Sequence, residues 1–269
     1  MKLPRFGLGL RDALERQLRT FAGSRTVTIA EGAAGGLKFR GARAGLSFAD
    51  GLYELPVQRA LEEALRPGDV FVDIGANVGF FTVLGARLVG PSGSVYAFEP
   101  LKENAEAVRR NADLNGFGQV VVREEAISDA SGQARIYLTH HDGGATLCST
   151  GVVPIDVAGE TIVERRSLDE LIAEGEVLPP SVIKLDVEGA EIEALRGMKD
   201  TLIQHRPQIL YEVDDGDWKI LEQRHHNVRA FLSELGYVIA PLESSYSNIA
   251  WHVVHGLASA GEPTERHEP

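Results

Sequence analysis

Cysteine is nearly missing from this chain: Cys148 is the only one in 269 residues. A single thiol excludes an intramolecular disulfide framework and a multi-cysteine zinc site, and it fits a reducing, cytoplasmic setting. Long apolar runs are missing too. None approaches the roughly 18 residues a spanning helix requires, so no membrane span is expected. Basic residues are in deficit, with 27 Lys and Arg against 39 Asp and Glu, a formal charge of −12. Nucleic-acid duplexes are bound by a basic surface that replaces their counterions, so a nucleic-acid partner is disfavoured. The first residues lack the uninterrupted apolar core of a signal peptide, because Arg11, Asp12, Glu15 and Arg16 interrupt it. They read instead as an amphipathic helix with Leu10, Leu14, Leu18 and Phe21 along one side. Such a face suits packing on the main domain or on a second copy, which leaves a homodimer open.

What is present is ordinary globular composition, 43% hydrophobic and 25% charged. The length allows one domain with a small appendage. Residues 26–50 alternate weakly and read as a β-hairpin ahead of the main fold. From Val70 the signals alternate between strand and helix. "VFVDI", "SVYAFEP" and "QVVVREEAI" read as strands, while "GFFTVLGARLVG" and "LKENAEAVRRNADLNG" read as helices. That order predicts an α/β fold with a parallel sheet and ligands at the carboxyl ends of its strands. Between about 130 and 165 the pattern changes to antiparallel strands around a Gly-rich tip, an inserted hairpin expected to overhang the ligand site. "SLDELI" resembles a capped helix start. "SVIKLDVEG" is then a strand, "AEIEALRGMKDTLI" one helix, "PQILYEV" a strand and "VRAFLSELG" a helix. "YVIA" and "IAWHVV" close the chain as two strands. The boundaries expected are an extension over 1–50, a main domain over 51–257 and a disordered tail over 258–269.

The strand tips carry the chemistry. The first ends at Asp73, followed by Gly75, Ala76, Asn77 and Gly79. A dinucleotide fingerprint needs G-x-G-x-x-G to bring backbone close to a pyrophosphate, and a phosphate loop needs Gly-Lys-Ser/Thr; neither is here. Glu99 ends the second strand, 24 residues after Gly75, where an acid accepts hydrogen bonds from ribose hydroxyls. Asp73 beside the turn is a poor neighbour for phosphate and a good one for an amine or sulfonium. A ribose diol, an ammonium and a positive sulfur together describe S-adenosyl-L-methionine. At the third tip, Glu125 is placed to bond an adenine amino group and Ala126 or Ile127 to lie against its ring. At the fourth, Asp186 precedes Glu188 and Gly189, and Lys184, two residues earlier, points to the same side of the strand. A lysine in a Val-Ile-Leu strand needs a partner, and a Lys184–Asp186 or Lys184–Glu212 ion pair that only orders the sheet is the plain alternative to a catalytic role.

Taken together, "GLYELP", "PGDVFVDIGANVGFFT", "VYAFEPLKENAEAVRRNADLNG", "AISDASG", "SLDEL" and "IKLDVEGAEIEALRGM" resemble the FkbM family of S-adenosylmethionine-dependent methyltransferases. The resemblance covers roughly residues 50 to 215. It implies a Rossmann-like class I methyltransferase fold whose seven-stranded, mostly parallel sheet has an antiparallel last strand. It also implies that Asp73, Gly75, Ala76, Asn77 and Gly79 surround the methionine part of the cofactor. Glu99 would hold the ribose, Glu125 and Ala126 would border the adenine, Asp186 would sit below the methyl group, and Tyr53 and Glu54 would close over the cofactor. The family mostly methylates hydroxyls of sugars and secondary metabolites. A small-molecule or glycan acceptor is therefore expected, ahead of an amine, RNA or protein acceptor or a non-catalytic scaffold.

An alcohol is a poor nucleophile, so a base or a metal must help remove its proton. Candidate bases are His140 and His141, beside Asp142 in the inserted hairpin, then Asp186 and Glu188. A hard cation would suit Asp186, Glu212, Asp214 and Asp215 near adjacent strand tips. The expectation is metal-independent transfer.

Overall fold

The computed structural model describes residues 25–41, 48–139, 145–147, 157–246 and 251–261. The amphipathic segment before residue 25, His140, His141, Cys148 and the tail from residue 262 lie outside these described residues.

A short antiparallel ribbon of β1 (Val27–Thr28) and β2 (Lys38–Phe39) precedes helix α1 (Leu55–Ala64). Phe39 is fully buried and meets Phe48 and Phe80 at ring-centroid distances of 5.1 and 5.8 Å, so the ribbon is fastened to the main domain by one aromatic cluster. The alternating core follows as β3 (Val70–Ile74), α2 (Phe80–Val89), β4 (Ser94–Phe98), α3 (Lys102–Leu114) and β5 (Val120–Arg123). Next come β6 (Glu125–Ile127), β7 (Gly132–Thr139), β8 (Ala145–Leu147) and β9 (Val157–Arg166). The chain then returns to the core through α4 (Leu168–Ala173), β10 (Val182–Leu185), α5 (Glu191–Arg196), α6 (Lys199–His205) and β11 (Gln208–Asp215). It ends with α7 (Trp218–Glu234), β12 (Tyr237–Pro241) and β13 (His252–Ala260).

The main sheet has the order β12-β13-β11-β10-β3-β4-β5. Strands β3, β4, β5, β10 and β11 run parallel, and β13 enters antiparallel between β11 and β12. This is the seven-stranded class I methyltransferase arrangement. The central strands are apolar without interruption because both faces are covered. Val72, Ile74, Ile183 and Leu185 pack beneath α4 to α7, whereas Phe71, Val95, Val182 and Leu210 pack beneath α1 and α2.

Four expectations are corrected. "QVVVREEAI" is two strands: β5 closes the main sheet, and β6 pairs with β9 in a separate four-stranded sheet of order β6-β9-β7-β8. The inserted hairpin is thus part of a larger sheet. "AEIEALRGMKDTLI" breaks into α5 and α6 at Gly197, whose carbonyl accepts from Ser167 Oγ (2.8 Å) and Asp169 N. An added Cβ at Gly197 would lie 2.0 Å from the Ser128 carbonyl oxygen. Helix α7 begins at Trp218, ten residues before the expected start at Val228, with Asp217 as its cap. The last strand reaches Ala260, past the expected domain end at 257.

Ser167 caps α4, accepting from Glu170 N while donating to Gly197, and so ties two helices together. Ser167→Ala is expected to lower stability by about 1–2 kcal/mol, the scale of a lost N-cap. Urea denaturation should show a lower midpoint with an unchanged slope; an unchanged midpoint would contradict this role.

Candidate functional site

The turn after β3 is built by three left-handed residues, Gly75 (φ 81), Asn77 (φ 49) and Gly79 (φ 87). It is stitched to the neighbouring tip because Gly75 N and Ala76 N both donate to Phe98 O, at 3.0 and 3.1 Å. Glu99 completes the link. Its carboxylate accepts from Asn77 N at 2.8 Å and from Leu101 N at 2.9 Å. The Asn104 side chain also bonds this carboxylate, and with up to two lone pairs on each oxygen it retains acceptor capacity for a ligand.

A cavity of about 660 Å³ opens at these tips, lined by Gly75, Asn77, Glu99, Glu125, Ala126 and Asp186 together with apolar Phe98, Ile127, Ile136 and Val187. Ile136 comes from β7, so the second sheet supplies one wall. Burial pushes Glu99 up to about 7, although the N–H groups of Leu101 and Asn77 pull it down. Burial, then Asp214 and Asp186, push Glu188 on the same wall well above the carboxylate range. Glu188 is also left-handed (φ 41), so Asn77 and Glu188 are two non-glycine residues held in a costly conformation on the cavity rim. Among the described residues the lining is acidic and includes no cationic side chain, although Glu125 pairs with Arg123 at 2.7 Å just outside it.

The remaining expected residues lie elsewhere. Asp73 is fully buried beneath the turn, its Oδ2 accepting from Thr82 Oγ1 at 2.6 Å. Burial raises its pKa, while Lys184 and Thr82 pull it back. Ala76 packs with Ala97 and Val108. Gly79 caps α2, where an added Cβ would lie 3.1 Å from Val108 Cα. Tyr53 stands in the aromatic cluster, 4.6 Å from Phe48 and 5.3 Å from Phe80 between ring centroids. Glu54 belongs to a second pocket of about 210 Å³ with Lys184, Glu212 and His255. His140 and His141 lie outside the described residues.

Lys184 Nζ bonds Asp186 Oδ2 at 2.8 Å and lies 5.1 Å from the centre of the Phe81 ring. Of the two partners expected for the lysine, it is Asp186 and not Glu212 that pairs with it. Burial pulls the lysine pKa down, but Asp186, Asp73 and Glu54 outweigh it and the net shift is upward. The pair separates the 660 Å³ cavity, which Asp186 lines, from the second pocket, which Lys184 lines.

The acids named as suited to a hard cation are mostly committed to other partners. Asp214 accepts from Trp251 Nε1 at 2.5 Å, and Asp215 pairs with Arg224 at 3.1 Å. Sequence reasoning passed over His255 and Tyr246. A histidine inside the apolar "HVVHGLA" run was the available signal for the first.

Residues 73–239 match the model of the methyltransferase FkbM domain. Among characterised proteins, the hexuronic acid methyltransferase AglP of Haloferax volcanii is 31% identical over 149 residues, covering 55% of this chain and 58% of that protein. The 31-O-demethyl-FK506 methyltransferase FkbM of Streptomyces tacrolimicus is 33% identical over 193 residues, covering 66% and 72%. The 2-O-methyltransferase NoeI of Sinorhizobium fredii is 29% identical over 178 residues, covering 59% and 71%. The match thus spans just over half of the haloarchaeal relative's length and more of the other two. No helix among the described residues is long and apolar enough to cross a membrane. With the turn after β3, Glu99 and Asp186 gathered around one cavity and the family model matching residues 73–239, this chain belongs to the FkbM family of S-adenosylmethionine-dependent methyltransferases.

Proposed function

We propose that this protein transfers a methyl group from S-adenosylmethionine to a hydroxyl of a sugar, glycan or secondary metabolite. The observation that carries this reading is the cavity bordered by Gly75, Asn77, Glu99, Glu125, Ala126 and Asp186, one acidic wall assembled from four strand tips. S-adenosylmethionine, when bound, supplies the electrophilic methyl group. Glu99 would accept hydrogen bonds from the ribose hydroxyls, Glu125 and Ala126 would border the adenine, and the backbone of Gly75 and Asn77 would hold the methionine part. Asp186, with one oxygen held by Lys184, offers a carboxylate that can take the acceptor's hydroxyl proton. Methyl transfer is an in-line displacement, so alignment of the reacting atoms is the main task of these groups. The named substrates of the relatives, a hexuronic acid and the 31-O position of FK506, support an oxygen acceptor.

Calorimetric titration with S-adenosylmethionine and with NAD tests the reading. Binding of the first and not the second is expected; tight NAD binding with no response to S-adenosylmethionine would overturn it. Glu99→Ala should weaken S-adenosylmethionine binding by about 1–3 kcal/mol, roughly 5- to 150-fold in Kd. An unchanged Kd would remove Glu99 from the site.

A further inference from the structure

Behind the Lys184–Asp186 pair, two carboxylates and an imidazole converge without satisfying one another. Glu54 stands at the start of α1 in a left-handed conformation (φ 43, ψ 53). Glu212 is on β11, and His255 lies directly opposite it on β13. His255 Nε2 is 2.6 Å from Glu212 Oε2 and 3.6 Å from Glu54 Oε2, with side-chain exposures of 3%, 14% and 2% respectively. Two carboxylate oxygens thus address one ring nitrogen, which carries at most one hydrogen. Neither contact has hydrogen-bond geometry. Glu54 Oε2, Glu212 Oε2 and both ring nitrogens of His255 are buried without a hydrogen-bond partner. Buried polar atoms in folded proteins are almost always paired with protein, water or an ion, so this many orphans at one point call for an occupant.

We infer that Glu54, Glu212 and His255 bind one divalent transition-metal cation of the Mn²⁺ or Zn²⁺ class. The three ligand atoms lie within 4.8 Å of one another, within reach of a shared ion after small side-chain rotations. Magnesium and calcium favour all-oxygen shells, whereas an imidazole nitrogen with two carboxylates suits zinc, manganese or ferrous iron. Two carboxylates also neutralise a divalent charge. The outer contacts of a metal site are present as well. Tyr246 donates its hydroxyl to Glu54 Oε1 at 2.6 Å, which orients that carboxylate and leaves Oε2 for the ion. The strained backbone at Glu54 is then the conformation that delivers its side chain to the other two. Three protein ligands leave coordination positions open toward the pocket of about 210 Å³. Lys184, which lines this pocket, bonds Asp186 at the edge of the other cavity, and metal binding does not rest on the methyltransferase reading.

The test uses untagged, full-length protein stripped with EDTA, dialysed and titrated with MnCl₂, with ZnCl₂ as a second probe. One Mn²⁺ per chain is expected, with Kd raised at least tenfold in Glu54→Gln, Glu212→Gln and His255→Gln while circular dichroism is unchanged. Absence of both Mn²⁺ and Zn²⁺ binding, or a Kd unchanged in all three variants, overturns the inference. Where a variant loses its fold, the wild type still decides. Pulsed electron paramagnetic resonance of the Mn²⁺ complex should show coupling to an imidazole nitrogen, and its absence overturns the site. S-adenosylmethionine binding, measured in parallel, separates the two claims. Cofactor binding without metal binding sinks this site alone, and metal binding without cofactor binding upholds it while sinking the methyltransferase reading.

Discussion

Gly75→Ala is expected to destabilise the protein by about 3–5 kcal/mol, combining left-handed backbone strain with overpacking. That corresponds to a fall of about 10 °C in the unfolding midpoint. Gly75 has φ 81, and a Cβ there would lie 1.7 Å from the carbonyl oxygen of Asp186 and 2.8 Å from its carbonyl carbon. The obstacle is backbone, not a side chain that can swing away. It is also fixed, because Asp186 N continues the parallel ladder by donating to Ile74 O at 3.0 Å. The methyl group therefore has to separate the first and fourth strand tips, the two that border the cavity at Gly75 and Asp186. Cofactor affinity should fall with stability. Thermal unfolding and a calorimetric titration check both, and an unchanged midpoint with unchanged affinity would show that the turn tolerates a side chain.

Lys184→Met is expected to cost about 3–5 kcal/mol near neutral pH, the scale for leaving buried charges without their partner. Methionine keeps the length of the stem over Phe81 but removes the cation. Asp186 loses its 2.8 Å partner, and fully buried Asp73 loses the charge that opposes the upward push of burial on its pKa. The sign of the pH dependence follows from linkage. Asp73, already raised by burial, is raised further once Lys184 is gone, so its folded-state pKa lies above its unfolded value. The folded variant therefore binds more protons than its unfolded chain, and it loses stability as pH rises through that folded value. The deficit against wild type should be smaller at pH 5 than at pH 8. Urea denaturation at the two pH values measures it, and an equal or larger deficit at pH 5 would contradict this account of the lysine.

The two substitutions act on one structural unit seen from two sides. Gly75 lets the backbone of the fourth strand tip approach the first, and Lys184 compensates the acids gathered there. Asp186 lines the cavity at the strand tips, and Lys184 lines the pocket of Glu54, Glu212 and His255.

The sequence alone determined the alternating core, because a parallel strand buried on both faces is an unbroken apolar run and each tip ends in a polar residue or glycine. "VDIGANVG" with Glu99, "EEAIS" and "KLDVEG" were legible for the same local reason: side-chain chemistry and turn conformation reside in neighbouring residues. The tertiary structure decided what depends on distant segments. Only the sheet register shows that Asp73 turns under the loop to Thr82 and not into the cavity, and that Gly75 is required by the backbone of Asp186. Helix α5 stops at Gly197 because Ser167 and Asp169 take its carbonyl. His255 meets Glu212 because β13 inserts antiparallel between β11 and β12, and Glu54 reaches both from the start of α1, at the far end of the domain in sequence. Local pattern specifies which elements form and what their tips carry. Which buried charges face one another is set by strand order, and strand order is won by burying both faces of the sheet, a gain that no short segment records.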